Sequence, residues 1–189
     1  MSEFQANMFN KKAANPKNRP DQILNAIGLK RGQHIADIGS GGGYFSLRFA
    51  EIVGEEGKVY AVDAKRQYLD YIKRSAEEKG LRNLMVVSVS EGGLQLPKNV
   101  LDVIFMRNVA HHISDRIAYF EGLRSHLKSG GRVVVIEYKR GTSISFRSLF
   151  GHHVPKEIIV REMGEAGYAL EKEFDFLPEQ HFSIFKAVR

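Results

Sequence analysis

The sequence predicts an α/β protein built on a doubly wound, seven-stranded sheet, mostly parallel, with helices on both faces and an antiparallel C-terminal strand. Short apolar runs of strand length alternate along the chain with segments whose apolar residues recur at helical spacing. Strand–helix repeats of these lengths imply parallel crossovers. The last two apolar runs are joined by a connection too short for a crossover, so this pair is expected to be antiparallel.

Length and composition fit one globular domain over residues 1–189. The chain has 189 residues, of which 43% are hydrophobic and 26% charged, as in ordinary soluble proteins. No apolar run approaches the ~18–20 residues of a membrane span, and the N-terminus lacks the hydrophobic core of a signal peptide. We therefore expect a cytoplasmic protein without a membrane span.

Charge and cysteine content exclude several classes of function. The chain has no cysteine, so disulfides, thiolate zinc sites and cysteine nucleophiles are absent. The formal net charge is +6, and the positive residues are spread over the chain ends and the predicted helices. A solvated surface explains this distribution better than a nucleic-acid partner or an anionic substrate does.

Residues 1–30 form a separate segment ahead of the first predicted strand. The first 20 residues contain prolines among asparagines, which favours a loop or a short helix over a core element. Asp21 then caps an apolar-periodic helix that Gly28 closes. This segment either folds over the neighbouring ligand motif as a lid or packs as a helix against the sheet. Three apolar residues would give a lid something to bury: Phe4, Met8 and Phe9.

The stretch 34–63 organises the chain. The apolar run 35–38 has the length of a buried strand, and a glycine cluster follows it directly. Apolar residues at helical spacing come next, and the second apolar run, 59–62, stops at Asp63. The order strand, glycine turn, helix, strand and acid is half of a nucleotide-binding α/β unit. The glycines of the cluster are Gly39, Gly41, Gly42 and Gly43.

The chemistry of this unit points to a ligand with a ribose and an anionic group. Glycines let the backbone turn tightly and approach a ligand where a Cβ would collide. The first turn of the helix offers unpaired N–H groups and a positive dipole end to an anion. An acid at the tip of the second strand, here Asp63, can accept hydrogen bonds from both ribose hydroxyls.

The rest of the chain continues the alternation and completes the domain. A core over 31–140 holds the ligand motif, and 141–189 contributes a helix and the antiparallel strand pair. The helix 114–127 is expected to begin at Ser114 as its cap. The other predicted helices are 65–79 and 155–166, and the other predicted strands are 84–89, 101–106, 132–137, 168–176 and 182–188.

The glycine turn resembles motif I of class I S-adenosylmethionine-dependent methyltransferases. It reads D-x-G-x-G-x-G from Asp37, whereas a dinucleotide fingerprint would need a glycine where Tyr44 stands. The segment LKSGGRVVVIEYK is similar to the fifth-strand signature of these enzymes, with Ser129 where proline is usual. The resemblance implies a Rossmann-like fold with a reversed seventh strand. Within the class, the chain is most similar to small UbiE-like enzymes, whose ends resemble FLPEQHFSIFKA.

Residues that follow the strands are the candidates for ligand contact, because ligands bind beyond the carboxyl ends of open α/β sheets. The resemblance implies that Asp37 and the glycine backbone hold the methionine end of S-adenosylmethionine. It also implies that Glu91 contacts the adenine amine and that the backbone of Arg107 and Asn108 lies beside the methionine part. The predicted cofactor-binding set is Asp37, Gly39, Ser40, Gly41, Gly43, Tyr44, Asp63, Ala64, Glu91, Arg107 and Asn108.

His111 and His112 follow the fourth predicted strand, where many small-molecule methyltransferases place groups that face the methyl acceptor. A histidine, with an ordinary pKa of ~6.5, can remove a proton or orient an acceptor at neutral pH. Alternatively, one of them bonds to backbone and caps the loop. A second cluster follows the fifth strand: Glu137, Tyr138, His152 and His153. Because the histidine pairs lack the i, i+4 spacing of ligands on one helix face, no metal site is predicted.

The predicted function is methyl transfer from S-adenosylmethionine to a small-molecule acceptor, which leaves S-adenosylhomocysteine. An RNA or protein methyltransferase is an alternative. The common amino-methylating signature, Asn or Asp followed by Pro-Pro-Tyr, is however absent after the fourth strand, where Arg107 to Ala110 stand. A third reading is a non-catalytic protein that binds the cofactor. The sequence leaves open a homodimer and the identity of the acceptor.

Overall fold

Residues 2–89, 93–139 and 153–188 are described by the computed structural model, and seven strands among them form one sheet. The strands are β1 (His34–Ile38), β2 (Lys58–Asp63), β3 (Leu84–Ser88), β4 (Leu101–Arg107), β5 (Leu127–Tyr138), β6 (Tyr168–Phe174) and β7 (Gln180–Ala187). Their order across the sheet is β3-β2-β1-β4-β5-β7-β6. Strands β1 to β5 pair in parallel, whereas β7 lies antiparallel between β5 and β6. The predicted sheet with its reversed C-terminal strand is confirmed.

Helices cover both faces of this sheet. They are α1 (Ser2–Ala14), α2 (Pro20–Ile27), α3 (Tyr44–Val53), α4 (Arg66–Glu78), α5 (Arg116–Leu123) and α6 (Lys156–Glu165). Short 3₁₀ helices lie at Pro16–Asn18, Ala110–His112 and Arg124–His126. None of the helices in the described residues is long and apolar enough to cross a membrane.

The core has two layers because successive strand residues point to opposite faces of the sheet. In β4, Val103 and Phe105 pack on α2 and α3, while Ile104 and Met106 pack on α5 and α6. The first layer is rich in aromatic rings. Phe105 lies 5.1 Å from Phe45 and 5.2 Å from Phe49, measured between ring centroids. The two layers hold the central strands rigidly, and therefore also fix the loops at their carboxyl ends.

The region around α5 differs from its prediction. The helix begins after Asp115, whose side chain caps it by accepting a 3.1 Å hydrogen bond from the backbone N–H of Ala118, so Ser114 is not the cap. The strand β5 begins at Leu127, which pairs with Leu101, whereas the next pair is Arg132 with Val103. The intervening residues, which include Gly130 and Gly131, are taken up by this register shift inside the strand.

The N-terminal segment is more helical than predicted, and its two α-helices pack at different places. Helix α2 packs against the sheet, with Ile23 and Ile27 fully buried. Helix α1 instead lies on α3 and α4, beside the glycine turn that follows β1. Within residues 3–14, only Ala6 is fully buried. The loop-like sequence 1–20 therefore contains an exposed helix at the carboxyl edge of the sheet.

Candidate functional site

A cavity of about 630 Å³ lies at the carboxyl ends of the parallel strands. Nearly all the residues predicted to bind ligand line it, together with residues from α1 and from the start of β7. Gly43 does not line it and lies against the Ile72 side chain instead, and Glu91 lies outside the described residues. The predicted residues that line the cavity are Asp37, Gly39, Ser40, Gly41, Tyr44, Asp63, Ala64, Arg107, Asn108, His111 and His112.

The glycine turn is shaped by packing as much as by space for a ligand. Gly39, Gly41 and Gly43 have φ angles of +71°, +55° and +82°, a left-handed conformation that other residues rarely adopt. A Cβ on Gly39 would collide with the Val109 side chain, and one on Gly43 would lie 2.5 Å from Ile72. At Gly41, by contrast, the nearest atom of another side chain would be 3.7 Å away. The expectation that glycine makes room for ligand therefore applies best to Gly41.

Asp63 joins the end of β2 to the glycine turn. Its two carboxylate oxygens accept hydrogen bonds from the backbone N–H groups of Gly41 and Lys65, each at 2.9 Å. A carboxylate has about four lone-pair positions, so these bonds leave acceptor capacity for a ligand hydroxyl. The residue thus fixes the turn and can bind a ribose at the same time.

Asp37 is a buried carboxyl at the end of β1. It is 3% exposed and accepts a hydrogen bond from the Ser46 hydroxyl in α3. Burial raises the Asp37 pKa, the Ser46 bond acts in the opposite direction, and the neighbouring Asp63 carboxylate adds to the rise, so that the pKa is about 7. A cationic ligand beside Asp37 would favour the ionised carboxylate.

Helix α1 contributes a contact that the sequence did not suggest. The Asn10 side chain donates a 2.7 Å hydrogen bond to the carbonyl of Gly42 and accepts a 3.0 Å bond from the backbone N–H of Tyr44. Tyr44 is the first residue of α3, so Asn10 satisfies one of the orphan donors at this helix N-terminus. A Cβ on Gly42 would collide with the carbonyl of Ala6 and with Asn10, which explains why α1 can approach so closely.

Arg107 and Asn108 line the cavity, and their side chains are joined through Gln180. The Arg107 guanidinium donates a 3.0 Å hydrogen bond to Gln180, and Gln180 donates a 2.6 Å bond to Asn108. The guanidinium also lies 5.2 Å from the centre of the Phe45 ring, a cation–π contact. Burial lowers the Arg107 pKa, and its Nε is buried without a hydrogen-bond partner in the described residues. Arg107 is thus a buried cation at the wall of the cavity, near the Asp37 carboxyl.

His111 is held by a carboxylate from the neighbouring strand. Its Nδ1 lies 3.0 Å from Oε1 of Glu137, a residue with no exposed surface at the end of β5. The His112 ring lies 4.1 Å from the His111 ring, and His112 is exposed. The structure thus separates two histidines that the sequence could not tell apart.

The predicted cluster after the fifth strand is only partly found at the cavity. Tyr138 lines the cavity, and its hydroxyl lies 3.0 Å from the Lys12 amino group of α1. His153 does not line the cavity, and His152 lies outside the described residues. Within 2–89, 93–139 and 153–188, no three histidine, aspartate or glutamate side chains are grouped so as to hold a metal ion.

S-adenosylmethionine combines a ribose, a carboxylate, an ammonium and a sulfonium, and the described residues offer a partner for each charge type. Asp63 has acceptor capacity beside the glycine turn, and Asp37 is a carboxyl that a cation would ionise. Arg107, which lines the same cavity, supplies a positive charge. The residues present therefore fit the cofactor that the sequence resemblance implies.

Residues 29–167 match the model of the Methyltransf_31 family, a methyltransferase domain. Curated relatives include the ubiquinone/menaquinone biosynthesis C-methyltransferases UbiE of Serratia proteamaculans (25% identical) and Photorhabdus laumondii (26% identical). Each match covers 78% of this chain and 62% of the relative, so the chain spans less than two thirds of their length.

Solved structures show the same fold. A SAM dependent methyltransferase from Aquifex aeolicus superposes with a TM-score of 0.87 at 22% identity, covering 100% of both chains. A putative type 11 methyltransferase from Sulfolobus solfataricus gives 0.72 at 21% identity, covering 91% of this chain and 94% of the other. With the family match over most of the chain, the sequence resemblance is confirmed: this protein belongs to the class I S-adenosylmethionine-dependent methyltransferases and is similar to their UbiE branch.

Proposed function

We propose that this protein transfers the methyl group of S-adenosylmethionine to a small-molecule acceptor bound at the carboxyl edge of the sheet. One observation carries the proposal. A single cavity is lined on one side by the turns after β1 and β2 and on the other by polar side chains after β4 and β5. Its volume of about 630 Å³ lies within the ~300–1,000 Å³ of sites for small molecules.

The β1–β2 side would hold the cofactor, which supplies a methyl group already activated on a sulfonium. Asp63 binds hydroxyl groups and keeps the glycine turn in place. Asp37 offers a negative charge to the cationic groups of S-adenosylmethionine, and Arg107 offers a positive charge to its carboxylate. The contribution of these residues is alignment, because an activated methyl group needs a correctly oriented acceptor more than it needs further activation.

The β4–β5 side would hold the acceptor. His111 and Tyr138 line this side and can donate or accept hydrogen bonds to a polar acceptor. Ile113 and Tyr119 line the same cavity and offer apolar surface to the body of a small molecule. His111 takes the role of proton acceptor in this proposal, and exposed His112 stands beside it.

Helix α1 would act as the lid of this cavity. Phe9 and Ala13 line the cavity, and Asn10 ties the helix to the glycine turn. Few residues of α1 are buried, so detaching it costs far less than unfolding the sheet. Such a segment can open to admit ligands and close over them, which excludes water from the reacting groups.

The test starts with calorimetry of S-adenosylhomocysteine binding to the wild-type chain, to Asp63→Ala and to the control Asp70→Ala, an exposed acid outside the cavity. Methyl transfer from labelled S-adenosylmethionine is then measured separately into small molecules, RNA and protein. We expect binding that Asp63→Ala weakens and Asp70→Ala preserves, with label in small molecules. Label found only in RNA or protein, or no cofactor binding by the folded wild-type chain, would contradict the proposal.

A further inference from the structure

We propose that Glu137 is the positioning residue that orients His111 as the base of the reaction, and that the acceptor is therefore a weakly acidic hydroxyl compound of the phenol or enol type. The inference rests on the proposed methyl transfer and specifies its acceptor. The sequence alone places Glu137 only in a cluster after the fifth strand. Its contacts in the structure give it a defined task.

One carboxylate holds both the side chain and the backbone of His111. Oε1 of Glu137 lies 3.0 Å from the imidazole Nδ1, and Oε2 accepts a 3.4 Å contact from the His111 backbone N–H. Oε1 also accepts a 2.8 Å hydrogen bond from the backbone N–H of Tyr138. Glu137 has no exposed surface. Burying a carboxylate costs free energy unless hydrogen-bond donors surround it, and the contacts with His111 and Tyr138 supply such donors.

The carboxylate also decides which nitrogen of His111 carries the proton. An ionised carboxylate has no hydrogen to donate, so Nδ1 must be the N–H donor in this pair. The basic lone pair of the neutral imidazole is then on Nε2. The His111 side chain is 6% exposed and lines the cavity, so this base belongs to the acceptor side of the site.

Other buried histidines of the chain show what a structural histidine looks like here. His126 makes a 3.2 Å contact with the carbonyl of Pro97, and His181 makes a 3.0 Å contact with the carbonyl of Val154. Neither lines the cavity at the strand ends. A backbone carbonyl fixes a ring but does not stabilise its protonated form as a carboxylate does. His111 therefore has the partner that a proton acceptor needs.

Two further charged or titratable groups, Arg116 and His181, lie near the pair formed by His111 and Glu137. Arg116 on α5 and His181 on β7 interact electrostatically with Glu137, and the His112 ring contacts His111. Arg116 is already matched by Glu162, with hydrogen bonds of 2.6 and 2.9 Å. In the described residues, the direct side-chain contact of Glu137 is thus with His111, whereas that of Arg116 is with Glu162.

The nature of the acceptor follows from the need for a base. An amine acceptor is nucleophilic before it loses a proton, whereas a phenol or enol becomes a good nucleophile only as its proton leaves. In the step, the acceptor proton goes to Nε2 of His111 and the acceptor's electron pair forms the bond to the methyl carbon. The carbon–sulfur bond breaks with its electron pair going to sulfur. The positive charge lost from sulfur appears on the imidazolium, next to the Glu137 carboxylate.

The first measurement needs no acceptor. Nitrogen-15 NMR of histidine-labelled protein at mildly alkaline pH distinguishes the two imidazole tautomers, and His111→Gln assigns the signal. We expect the Nδ1–H form in the wild-type chain and a shift toward Nε2–H in Glu137→Gln, because a side-chain amide can donate as well as accept. An Nε2–H tautomer in the wild-type chain would overturn the role of Glu137, whatever the activity.

Kinetics with phenol, enol and amine acceptors supply the second measurement. We expect Glu137→Gln to lower kcat by about tenfold or more, with the affinity for S-adenosylhomocysteine unchanged and partial recovery in Glu137→Asp. Asp102→Asn, which removes a partly buried carboxylate that pairs with Lys128 outside the cavity, is the matched control and should keep its kcat.

Three results would count against the inference. A loss of cofactor affinity parallel to the loss of kcat would make Glu137 merely structural. Unchanged kcat in folded Glu137→Gln would remove its positioning role. Methylation of amines alone would refute the acceptor class while leaving methyl transfer standing. Failure of the proposed function itself looks different, because it would appear as absent cofactor binding in the wild-type chain.

Discussion

The two sides of the cavity are built in different ways. On the β1–β2 side, the turn after β1 and the acid after β2 belong to one continuous stretch, and Gly41 bonds to Asp63 only 22 residues away. On the β4–β5 side, residues from distant parts of the chain meet: Gln180 bonds to Asn108 over 72 residues, and Lys12 bonds to Tyr138 over 126. The first side is a local motif that recurs in many chains, and the second is assembled by the fold of this one.

The largest effect is expected on the β4–β5 side, from His111→Ala. Removing the base should lower kcat by ~10²-fold or more while S-adenosylhomocysteine binding stays nearly intact. His112→Ala is the matched control, since His112 is exposed and lies beside the same ring. Steady-state kinetics and calorimetry on both variants measure the difference. Equal losses in the two variants would mean that the structure does not distinguish their roles.

The β1–β2 side should respond to Asp63→Ala with the opposite pattern. The variant loses a ligand acceptor and leaves the backbone N–H groups of Gly41 and Lys65 without their partner. Because charge-assisted hydrogen bonds contribute ~1.5–3 kcal/mol, cofactor affinity should fall by roughly tenfold or more. Calorimetry gives the dissociation constant. A variant with wild-type cofactor affinity and a raised KM for acceptor would show that the two sides are not separate.

The glycine turn offers a smaller test of how α1 is attached. In Gly42→Ala, the new Cβ collides with the carbonyl of Ala6 and should push α1 off, while the turn itself keeps its conformation. We expect faster proteolysis within residues 1–20, with protection by S-adenosylhomocysteine reduced several-fold. Gly122→Ala has open space around its Cβ and serves as the control. Unchanged proteolysis in Gly42→Ala would argue that the collision is relieved without moving α1.

The smallest effect concerns pH and Asp37. Its folded-state pKa of about 7 lies above the ordinary value of 3.8, so the fold favours the protonated carboxyl. The corresponding stability is fully present below about pH 4 and is lost as the pH rises through 7. Relative to Asp37→Asn, the wild-type chain should therefore lose a few degrees of Tm between about pH 5 and 8. Parallel melting profiles for the two proteins would contradict the burial argument.

The difference between the two sides also explains what the sequence could predict. Strand–helix alternation and the motif around Gly39 to Asp63 predicted the sheet, its reversed last strand and the position of the cavity. The same reasoning gave the wrong N-cap for α5, because Ser114 and Asp115 are both good caps and only packing chooses between them. It also did not predict the hydrogen bonds that join Arg107 and Asn108 through Gln180.

Several hydrogen bonds of the site could not be predicted from the sequence, because no local pattern of residues marks them. Asn10 reaches the α3 N-terminus across 34 residues, and Glu137 reaches His111 across 26. Gln180 sits beside Asn108 because β7 pairs with β5 in one particular register, with Gln180 opposite Tyr138. A single asparagine, glutamate or glutamine has no periodicity or spacing that would mark such a role. These contacts depend on long-range packing of the finished sheet.

The reversed direction of β7 has a consequence for how enzymes of this shape can diversify. Because β7 runs against its neighbours, its first residue and the β6–β7 connection lie at the same edge as the carboxyl ends of the parallel strands, where Glu179 and Gln180 line the cavity. This hairpin is far from the glycine turn in sequence. Under the proposed function, changes in this hairpin would alter the acceptor side, and a change of Gln180 would also reach Arg107 through their hydrogen bond. Under the proposed function, the β6–β7 hairpin is therefore a segment in which insertions or substitutions would change the specificity for the methyl acceptor.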